Sequence, residues 1–283
     1  MKKFVLIILL LSLFFYCSQK QQQVEPAQLV LEEEFTIDTE VDEIAELGLT
    51  DIWGFSVDSH DDIYFYSSPL AQGNLVYKFD KEGHFVRSFA PKGQGPGEIE
   101  NPVYLRIDSK DQQGISDTAG HIRSIFDTEG NLIKELPMDR DIARPGTAII
   151  PLENGNYLVR RVLLARKYSD IVVSLFDFEF DELKELHRHR VESPVFTGKF
   201  ELPIPIPLFE ASKEFIFVGN GQLGYEISVF DLDGNLVRKI KKEYKPIEVS
   251  EDYKNEIESF LEDSEFSFLK GKVGIKTFVC LVI

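Results

Sequence analysis

The stretch "FDTEGNLIKEL", residues 126–136, decides the fold because variants of it occur in three other places. The other copies are "FDKEGHFVRSF" at 79–89, "FDFEFDELKEL" at 176–186 and "FDLDGNLVRKI" at 230–240. All four align without gaps, and their first residues are 47, 50 and 54 positions apart. A period of about fifty residues indicates an array of similar supersecondary units.

Each copy of the repeat predicts a β-hairpin. An apolar run such as "NLVYKF" ends in Phe-Asp, a short turn follows, and a second alternating run such as "NLIKEL" leads away. The turn aspartate can accept a hydrogen bond from the backbone two residues on, and the turn glycine supplies a positive φ. Phe180 takes the glycine position in the third copy, so we expect a looser turn there.

Two further apolar runs precede each hairpin. They are "IWGFSVD" with "DIYFYSS", "VYLRID" with "QGISDT", "TAIIPL" with "NYLVRRV", and "IPLFEAS" with "EFIFVGN". Four strands in a unit of about fifty residues is the pattern of a β-propeller blade. Because β-branched and aromatic residues also gather in short runs, we predict an all-β propeller with about four blades.

Composition limits the classes of partner. The chain has 283 residues, 43% of them apolar, which is enough for a substantial core. Its 31 Lys and Arg residues against 48 Asp and Glu give a net charge of −17, which would repel nucleic acid. The two cysteines, Cys17 and Cys280, allow neither a disulfide framework nor a cysteine-rich zinc site to be predicted.

The glycine-rich loop "KGQGPGEIENP", residues 92–102, raises the alternative of a phosphate site. A dinucleotide-binding loop needs a third glycine and a following helix. Glu98 stands in the place of that glycine and would repel a phosphate, and Asn101-Pro102 leads into another strand. The loop is therefore predicted to join two blades.

Residues 93–108, "GQGPGEIENPVYLRID", resemble the blade-joining signature of six-bladed β-propellers of the NHL-repeat type, specifically the bacterial envelope lipoproteins with that fold. The Phe-Asp hairpins add to the resemblance, which covers about Asp51 to Lys242. It implies a propeller over 31–242, with blades at about 51–89, 101–137, 145–187 and 205–242. Because the family has six blades, we expect a C-terminally truncated member whose first and last blades expose apolar faces and unpaired edges.

The segment after the fourth blade predicts a short helix. In "SEDYKNEIESFLED" Ser250 is a plausible N-cap, acidic residues follow in the first turn, and apolar residues share one face. The helix is expected over 250–262, and residues 263–283 form a tail without the blade pattern.

The N-terminus carries a targeting segment. In "MKKFVLIILLLSLFFYC", residues 1–17, two lysines precede an apolar run that would rise about 20 Å as a helix, less than the ~30 Å of a bilayer core. This is typical of a signal peptide. The cysteine and the polar tether at 18–30 resemble a bacterial lipoprotein signal, which implies lipid attachment at Cys17 and membrane anchoring in the cell envelope. An uncleaved anchor and soluble secretion are the alternatives.

The C-terminal "CLVI", residues 280–283, has the form of a prenylation box. Prenylation takes place in the cytosol, where an exported chain would not meet it. A buried terminal strand or a ragged end is the favoured interpretation.

The innermost strand of a blade shows residues to the central channel. In "NPVYLRID" the apolar set is predicted to be Val103, Leu105 and Ile107, with Tyr104, Arg106 and Asp108 on the opposite face. Arg106 there requires an acceptor, and Arg160 and Arg161 raise the same question. We name Tyr104, Arg106 and Arg160 as candidate ligand-binding residues, with buried structural ion pairs as the alternative.

No metal or cofactor site is expected from the sequence. The turn "DSHDD", 58–62, could hold calcium, but a self-bonded turn is favoured. His187 and His189 are expected in a solvated connector beyond an outer strand rather than in a metal site. Trp53 is expected to pack between blades. "LPIPIPL", 202–208, is expected to be an extended entry to the fourth blade.

These features favour a non-catalytic envelope lipoprotein whose propeller binds a protein, peptide or glycan. The alternative is a propeller hydrolase or lyase with a channel metal ion. The innermost strands carry no evident set of acids, Asn or His for such a metal, and this favours the binding module.

Overall fold

The computed structural model describes residues 35–37, 42–49, 51–144, 146–165, 167–192, 200–202, 207–219, 225–243, 250–263 and 273–275. The predicted signal segment with Cys17, the tether at 18–30 and the terminal "CLVI" lie outside these residues, as does most of "LPIPIPL".

Sixteen strands form four blades of four strands each. Blade 1 consists of β1 (Ile52–Val57), β2 (Ile63–Ser67), β3 (Asn74–Phe79) and β4 (Phe85–Pro91). Blade 2 consists of β5 (Pro102–Ile107), β6 (Gln113–Asp117), β7 (Ile122–Phe126) and β8 (Leu132–Pro137). Blade 3 consists of β9 (Ala148–Pro151), β10 (Tyr157–Leu164), β11 (Tyr168–Phe176) and β12 (Glu182–Glu192). After β13 (Phe200–Leu202), blade 4 consists of β14 (Phe209–Ala211), β15 (Phe215–Gly219), β16 (Tyr225–Asp231) and β17 (Leu236–Lys242).

Each blade is an antiparallel meander whose strands hydrogen-bond in chain order. This is the topology of a propeller blade, so the predicted all-β propeller fold with four blades is confirmed. Two short helices, α1 (Asp42–Ala45) and α2 (Glu251–Asp263), complete the described elements with β18 (Val273–Ile275), which pairs in parallel with β13. Within the described residues no helix has the length and apolar character needed to span a bilayer.

The repeated aspartate closes the hairpin turn in every blade. Its Oδ1 accepts hydrogen bonds from the backbone amides two and four residues further on, at 2.7–3.1 Å. The four aspartates are Asp80, Asp127, Asp177 and Asp231. The register of each hairpin also shifts at the phenylalanine before the aspartate, so all four copies share a bulge.

The third turn is not looser, contrary to the expectation from its sequence. Asp177 makes the same two backbone hydrogen bonds, both at 2.9 Å. Phe180 adopts a φ of 70°, close to the 78° of Gly130 in the second copy. The left-handed conformation costs a side-chain-bearing residue about 1–2 kcal/mol. Burial offsets this cost, because Phe180 is only 7% exposed and its ring centroid lies 4.6 Å from that of Tyr157.

The hairpin turns also pack one blade against the next. A Cβ on Gly130 would lie 2.8 Å from Cγ of Phe89 in blade 1, and one on Gly234 would lie 2.7 Å from Cδ1 of Leu175 in blade 3. In blades 2 and 4 the preceding blade therefore fills the space beside the turn. In blade 3 the turn residue Phe180 fills it, in a cluster with Leu136 of blade 2.

Apolar clusters between successive blades form the core. The cluster between blades 1 and 2 includes Tyr66, Val76, Phe89, Leu105, Ile115 and Phe126. The cluster between blades 2 and 3 includes Ile125, Leu136, Ile149, Val159, Phe176 and Phe180. The cluster between blades 3 and 4 includes Leu158, Val173, Leu175, Ile216, Val218 and Phe230. Each blade therefore buries its apolar side chains against the neighbouring blades.

The outward face of blade 1 is partly open, as expected for a first blade. Residues before β1, including Leu49, pack on Tyr77 and Phe79. Phe55 nevertheless remains 63% exposed. The prediction that Trp53 packs between blades is wrong, because Trp53 is 50% exposed on β1, which has no described blade before it, and its Nε1 donates to Asp51 at 3.3 Å.

The glycine-rich loop joins β4 to β5 and encloses a carboxylate of its own. Glu98 accepts a hydrogen bond from the Gly95 amide at 2.8 Å, and a Cβ on Gly93 would overlap its carboxylate. The Gly97 amide donates to Glu135 of β8 at 2.9 Å. The glycines therefore make room for Glu98 and tie the loop to blade 2, as a blade joint requires, and the loop leads into a strand.

Candidate functional site

The first strands of successive blades lie side by side, with β5 between β1 and β9. These are the inner strands on which ligand contacts were predicted. The regular alternation predicted for β5 is wrong, because the register shifts between Val103 and Arg106 and Tyr104 adopts a φ of 52°. This bulge re-aims Tyr104 while Leu105 and Ile107 stay against the core between blades 1 and 2.

Among the described residues, Arg106 on β5 has almost no polar partner. Its Nη1 donates to the Leu105 carbonyl at 3.3 Å, and no carboxylate of the described residues lies within salt-bridge distance of it. The residue is partly buried and sits opposite Gly114 of β6, which has no side chain to cover it. Arg106 also acts electrostatically on Tyr66 of blade 1, whose pKa is raised chiefly by burial.

Arg160 lies on β10, the second strand of blade 3. Its Nη2 donates to the Gly146 carbonyl at 3.3 Å, and its guanidinium lies 5.3 Å from the ring centroid of Phe209 in blade 4. Burial lowers the pKa of Arg160, and the charge and hydrogen bonding of Tyr104 oppose that shift. The structure therefore brings Tyr104 and Arg160 together across blades 2 and 3. Arg161, in contrast, forms a salt bridge to Glu182 at 2.6 Å.

A third arginine without a carboxylate partner, Arg123, was not predicted from the sequence. Arg123 of β7 is 1% exposed, and its Nη1 donates to Ser116 Oγ at 3.0 Å. A Cβ on Gly114 would overlap its guanidinium, and its Cζ lies 5.9 Å from the ring centroid of Tyr157. Two small residues of β6, Gly114 and Ser116 in "QGISD", could have indicated its burial. They leave room on β6 for a long side chain from the next strand.

The buried guanidinium of Arg123 stays charged. Desolvation lowers its pKa to about 10, with a further lowering from the positive charge of Arg106, and both Tyr157 and Asp108 oppose the shift. A pKa of about 10 is above physiological pH. No described group accepts a hydrogen bond from its Nε. Two positive charges, at Arg106 and Arg123, therefore face each other across Gly114.

This group differs from the other arginines that the structure describes as buried or partly buried. Three of those form salt bridges, Arg87 with Glu129 at 2.5 Å, Arg144 with Asp141 at 3.1 Å and Arg161 with Glu182 at 2.6 Å. Arg106, Arg123 and Arg160 form none with the described residues. We call these three residues together with Tyr104 the inner arginine group.

The other sites considered from the sequence turn out to be structural. Asp58 accepts hydrogen bonds from two backbone amides of the "DSHDD" turn at 2.9 and 3.0 Å and from the Tyr64 hydroxyl at 3.1 Å, so this is the self-bonded turn expected. Lys78 pairs with Asp62 at 2.8 Å. Among the described residues, no cluster of three or more His, Cys, Asp or Glu side chains is placed to hold a metal ion.

The prediction that His187 and His189 lie in a solvated connector is wrong. Both lie within β12, which continues its pairing with β11 to Glu192, and His189 is 4% exposed. Desolvation lowers the pKa of His187, and the neighbouring His189 lowers it further. β11 has nine residues, all buried except the first, and so gives β12 a longer partner than the third strands of the other blades give theirs.

A cavity of about 390 Å³ lies between the turns of blades 2 and 3. It is lined by polar residues such as Lys110, Lys134 and Asn154, and by Tyr157 and Phe178. Tyr157 also lies near Arg123, whose Cζ is 5.9 Å from the centroid of the tyrosine ring. Neither Arg106 nor Arg160 lines it, so it is distinct from the inner arginine group.

No family model matches this chain, and no curated protein matches it by sequence. The chain is similar to a solved structure of a Bacteroides fragilis protein thought to be exported, at 16% identity and a TM-score of 0.49, covering 86% of this chain and 61% of that one. It is also similar to a virginiamycin B lyase of Staphylococcus aureus, a catalytically inactive variant solved with quinupristin, at 12% identity and a TM-score of 0.38. That match covers 70% of this chain and 72% of the lyase.

A Bacteroides caccae protein of unknown function is similar at 17% identity and a TM-score of 0.41, covering 67% of this chain and 60% of that one. The chain thus spans less than two thirds of the length of both Bacteroides proteins. At this level of similarity the comparisons assign neither a family nor an activity.

Proposed function

We propose that this protein is a non-catalytic binding module of the bacterial cell envelope, which binds a protein, peptide or glycan at the inner arginine group. The observation that carries the proposal is that Arg106 on β5 and Arg160 on β10 are partly buried and form no salt bridge with a described carboxylate, and that Tyr104 interacts with Arg160. Partly buried guanidinium groups are normally satisfied, so those left without an acceptor indicate a missing partner.

Each residue of the group has a distinct role in this proposal. Arg106 and Arg160 supply forked N–H donors from adjacent blades, and Tyr104 supplies a hydroxyl beside Arg160. Phe209 presents its ring to Arg160, which holds the guanidinium in one orientation. A ligand held in this way contacts blades 2, 3 and 4 at once, so its binding depends on the propeller fold rather than on one loop.

The proposal also covers the cellular location of the protein and the family to which it belongs. The signal-like N-terminus and Cys17 support export and attachment to a membrane through an N-terminal lipid. The joint "GQGPGEIENP" and the repeated Phe-Asp hairpins support membership of the six-bladed, NHL-repeat type of propeller. Replacing Cys17 by serine should move the protein from the membrane fraction to the soluble envelope fraction and abolish incorporation of labelled palmitate. Retention of both properties by the variant would refute the anchor.

The binding role is tested on glycan and peptide arrays with the full chain in detergent. We expect Arg160→Gln to weaken binding of any specific ligand about ten-fold, that is by about 1.4 kcal/mol. Arg238→Gln is the matched control, since it removes the same charge from an exposed position on the outermost strand of blade 4. Equal binding by both variants and the wild type, or no binding to any array element, would contradict the proposal.

Metal analysis of the purified protein distinguishes a binding module from the alternative, a lyase or hydrolase with a channel metal ion. A binding module is expected to retain no stoichiometric calcium or zinc after dialysis. One tightly held metal ion per chain would instead favour a channel-metal enzyme.

A further inference from the structure

We propose that the cavity between the turns of blades 2 and 3 is a second binding site, which takes a neutral sugar residue of a glycan. We call it the blade 2–3 cavity. Its volume of about 390 Å³ falls within the ~300–1,000 Å³ range of small-molecule sites. Neither Arg106, Arg123 nor Arg160 lines it, so the inference goes beyond the function proposed above and does not depend on it.

Phe178 supplies an aromatic surface to the cavity. It is the third residue of its repeat, and the other three copies have Lys81, Thr128 and Leu232 there, so the hairpin turn itself does not require an aromatic residue. Phe178 is 58% exposed, whereas Phe180 in the same turn is buried. A ligand that covers the exposed ring removes apolar surface from water, and the C–H face of a sugar ring is flat enough to do so.

The polar side chains of the cavity have unused hydrogen-bonding groups. Within the described part of the chain, Lys110 and Lys134 form no ion pair. The hydrogen bonds that Gln112 and Asn156 make come from their backbone atoms, which leaves both side-chain amides unused among the described residues. Asp108 accepts both turn amides, at 2.9 Å, on its Oδ1 oxygen. Sugar hydroxyls both donate and accept, so they suit this mixture of donors and acceptors.

The charges of the lining favour a neutral ligand. The cavity is lined by two lysines, Lys110 and Lys134, and by two carboxylates, Asp108 and Glu153, so their formal charges cancel. A phosphate or an acidic sugar would be attracted by the lysines and repelled by the carboxylates. A neutral polyol avoids that repulsion and still receives charge-assisted hydrogen bonds, which are stronger than those between neutral groups.

Hydrogen bonds fix the two turns that form most of the cavity. In the turn between β5 and β6 the Asp108 amide donates to the Gln112 carbonyl at 3.0 Å. In the turn between β9 and β10 the Asn154 side chain donates to the Leu232 carbonyl of blade 4 at 3.2 Å, which ties this turn to the next blade. Binding therefore orders few additional groups, and this lowers its entropic cost.

The experiment is a saturation-transfer NMR titration of the full chain in deuterated detergent. The neutral probes are the methyl glycosides of glucose, galactose, mannose and N-acetylglucosamine, each added separately. Galacturonate and trialanine are the comparison probes, and they represent an acidic sugar and a peptide.

The variants change exposed residues, so that the fold is retained. Phe178→Ala removes the aromatic surface, Phe178→Tyr keeps it, and Lys134→Met removes a charged donor. Phe55→Ala and Lys213→Met are the matched controls, because they make the same chemical changes at exposed positions of blades 1 and 4. The urea unfolding midpoint of each variant shows whether it is folded.

We expect at least one neutral glycoside to give a saturable signal with the wild-type protein. Phe178→Ala and Lys134→Met should each weaken its binding about ten-fold. Phe178→Tyr should bind as the wild type does, and so should the controls Phe55→Ala and Lys213→Met.

Several results would overturn the inference. Absence of a saturable signal from all four neutral glycosides would do so, as would binding that Phe178→Ala weakens no more than Phe55→Ala does. Binding of galacturonate or trialanine alone would show that the ligand is an anion or a peptide. Weaker sugar binding in Arg160→Gln but not in Phe178→Ala would place the sugar at the inner arginine group, so that the proposed function would stand while this inference failed.

Discussion

Substitution of Gly130 by alanine tests whether the hairpin turns lock the blades together. Gly130 has a φ of 78°, and a Cβ there would lie 2.8 Å from Cγ and 2.9 Å from Cβ and Cδ1 of Phe89. The left-handed conformation contributes about 1–2 kcal/mol of destabilisation. The overlap with a buried ring contributes about 1–3 kcal/mol more, because Phe89 cannot move without disturbing Phe126, 5.2 Å away between ring centroids. The expected total is roughly 2–5 kcal/mol.

Gly155 supplies the matched control. It also follows a turn closed by a hydrogen bond at 2.9 Å, and its φ is 86°, but a Cβ there would have no atom within 4 Å. Gly155→Ala should therefore lower the free energy of unfolding only by the cost of the left-handed backbone conformation, about 1–2 kcal/mol. Urea unfolding followed by circular dichroism measures both variants.

A double-mutant cycle isolates the contact between blades. In a Phe89→Ala background, Gly130→Ala should become no worse than Gly155→Ala, giving a coupling energy of about 1–3 kcal/mol. If Gly130→Ala and Gly155→Ala were equally destabilising in the wild-type background, the turn would not be packed against the preceding blade, and our account of the core would be refuted.

Further predictions concern a buried carboxylate, a strand glycine and the blade joint. Hydrogen bonds from Arg190 and Arg188 hold the pKa of Asp170 at about 2, below its ordinary 3.8, so this stabilisation is present above about pH 4 and lost as the pH falls to about 2. Asp170→Asn should flatten the acid dependence of the urea midpoint between pH 5 and pH 2, and an unchanged slope would count against the ion pair. Gly114→Ala should displace the buried Arg123 and destabilise the folded protein by about 2–4 kcal/mol in the same urea assay. Gly219→Ala, where a Cβ would have contacts no closer than 3.6 Å, should change the stability by no more than about 1 kcal/mol. Equal effects of the two substitutions would mean that Gly114 does not accommodate Arg123. Glu98→Gln should loosen the joint and raise amide hydrogen exchange at Gly95 measured by mass spectrometry, and unchanged protection there would show that the carboxylate is dispensable.

The fold was predictable because its signals are local. Each repeat contains its own turn aspartate and its own alternating apolar residues. In all four copies the aspartate accepts a hydrogen bond from the backbone amide four residues further on. The conformation of Phe180 was not predictable from its own repeat. It depends on packing in a cluster that includes Leu136 of the preceding blade, which no local pattern reports.

The candidate site was only partly predictable. Alternation along β5 pointed to Tyr104 and Arg106 as candidates, but the strand bulges at Tyr104, which the alternation did not contain. Arg123 looked like one more strand residue, because its burial depends on Gly114 in the neighbouring strand. Phe209 joins the group from a blade about fifty residues further along, through packing that a linear pattern cannot show.

The most direct test of the central claim is anomalous diffraction from crystals of this protein soaked in bromide. The account predicts an anomalous peak within about 4 Å of the guanidinium group of Arg106 or of Arg160, with no protein carboxylate in contact with either. A protein carboxylate paired with each of the two arginines, and no bromide at either, would show that their charges are already neutralised within the chain and would contradict the proposed role of the inner arginine group.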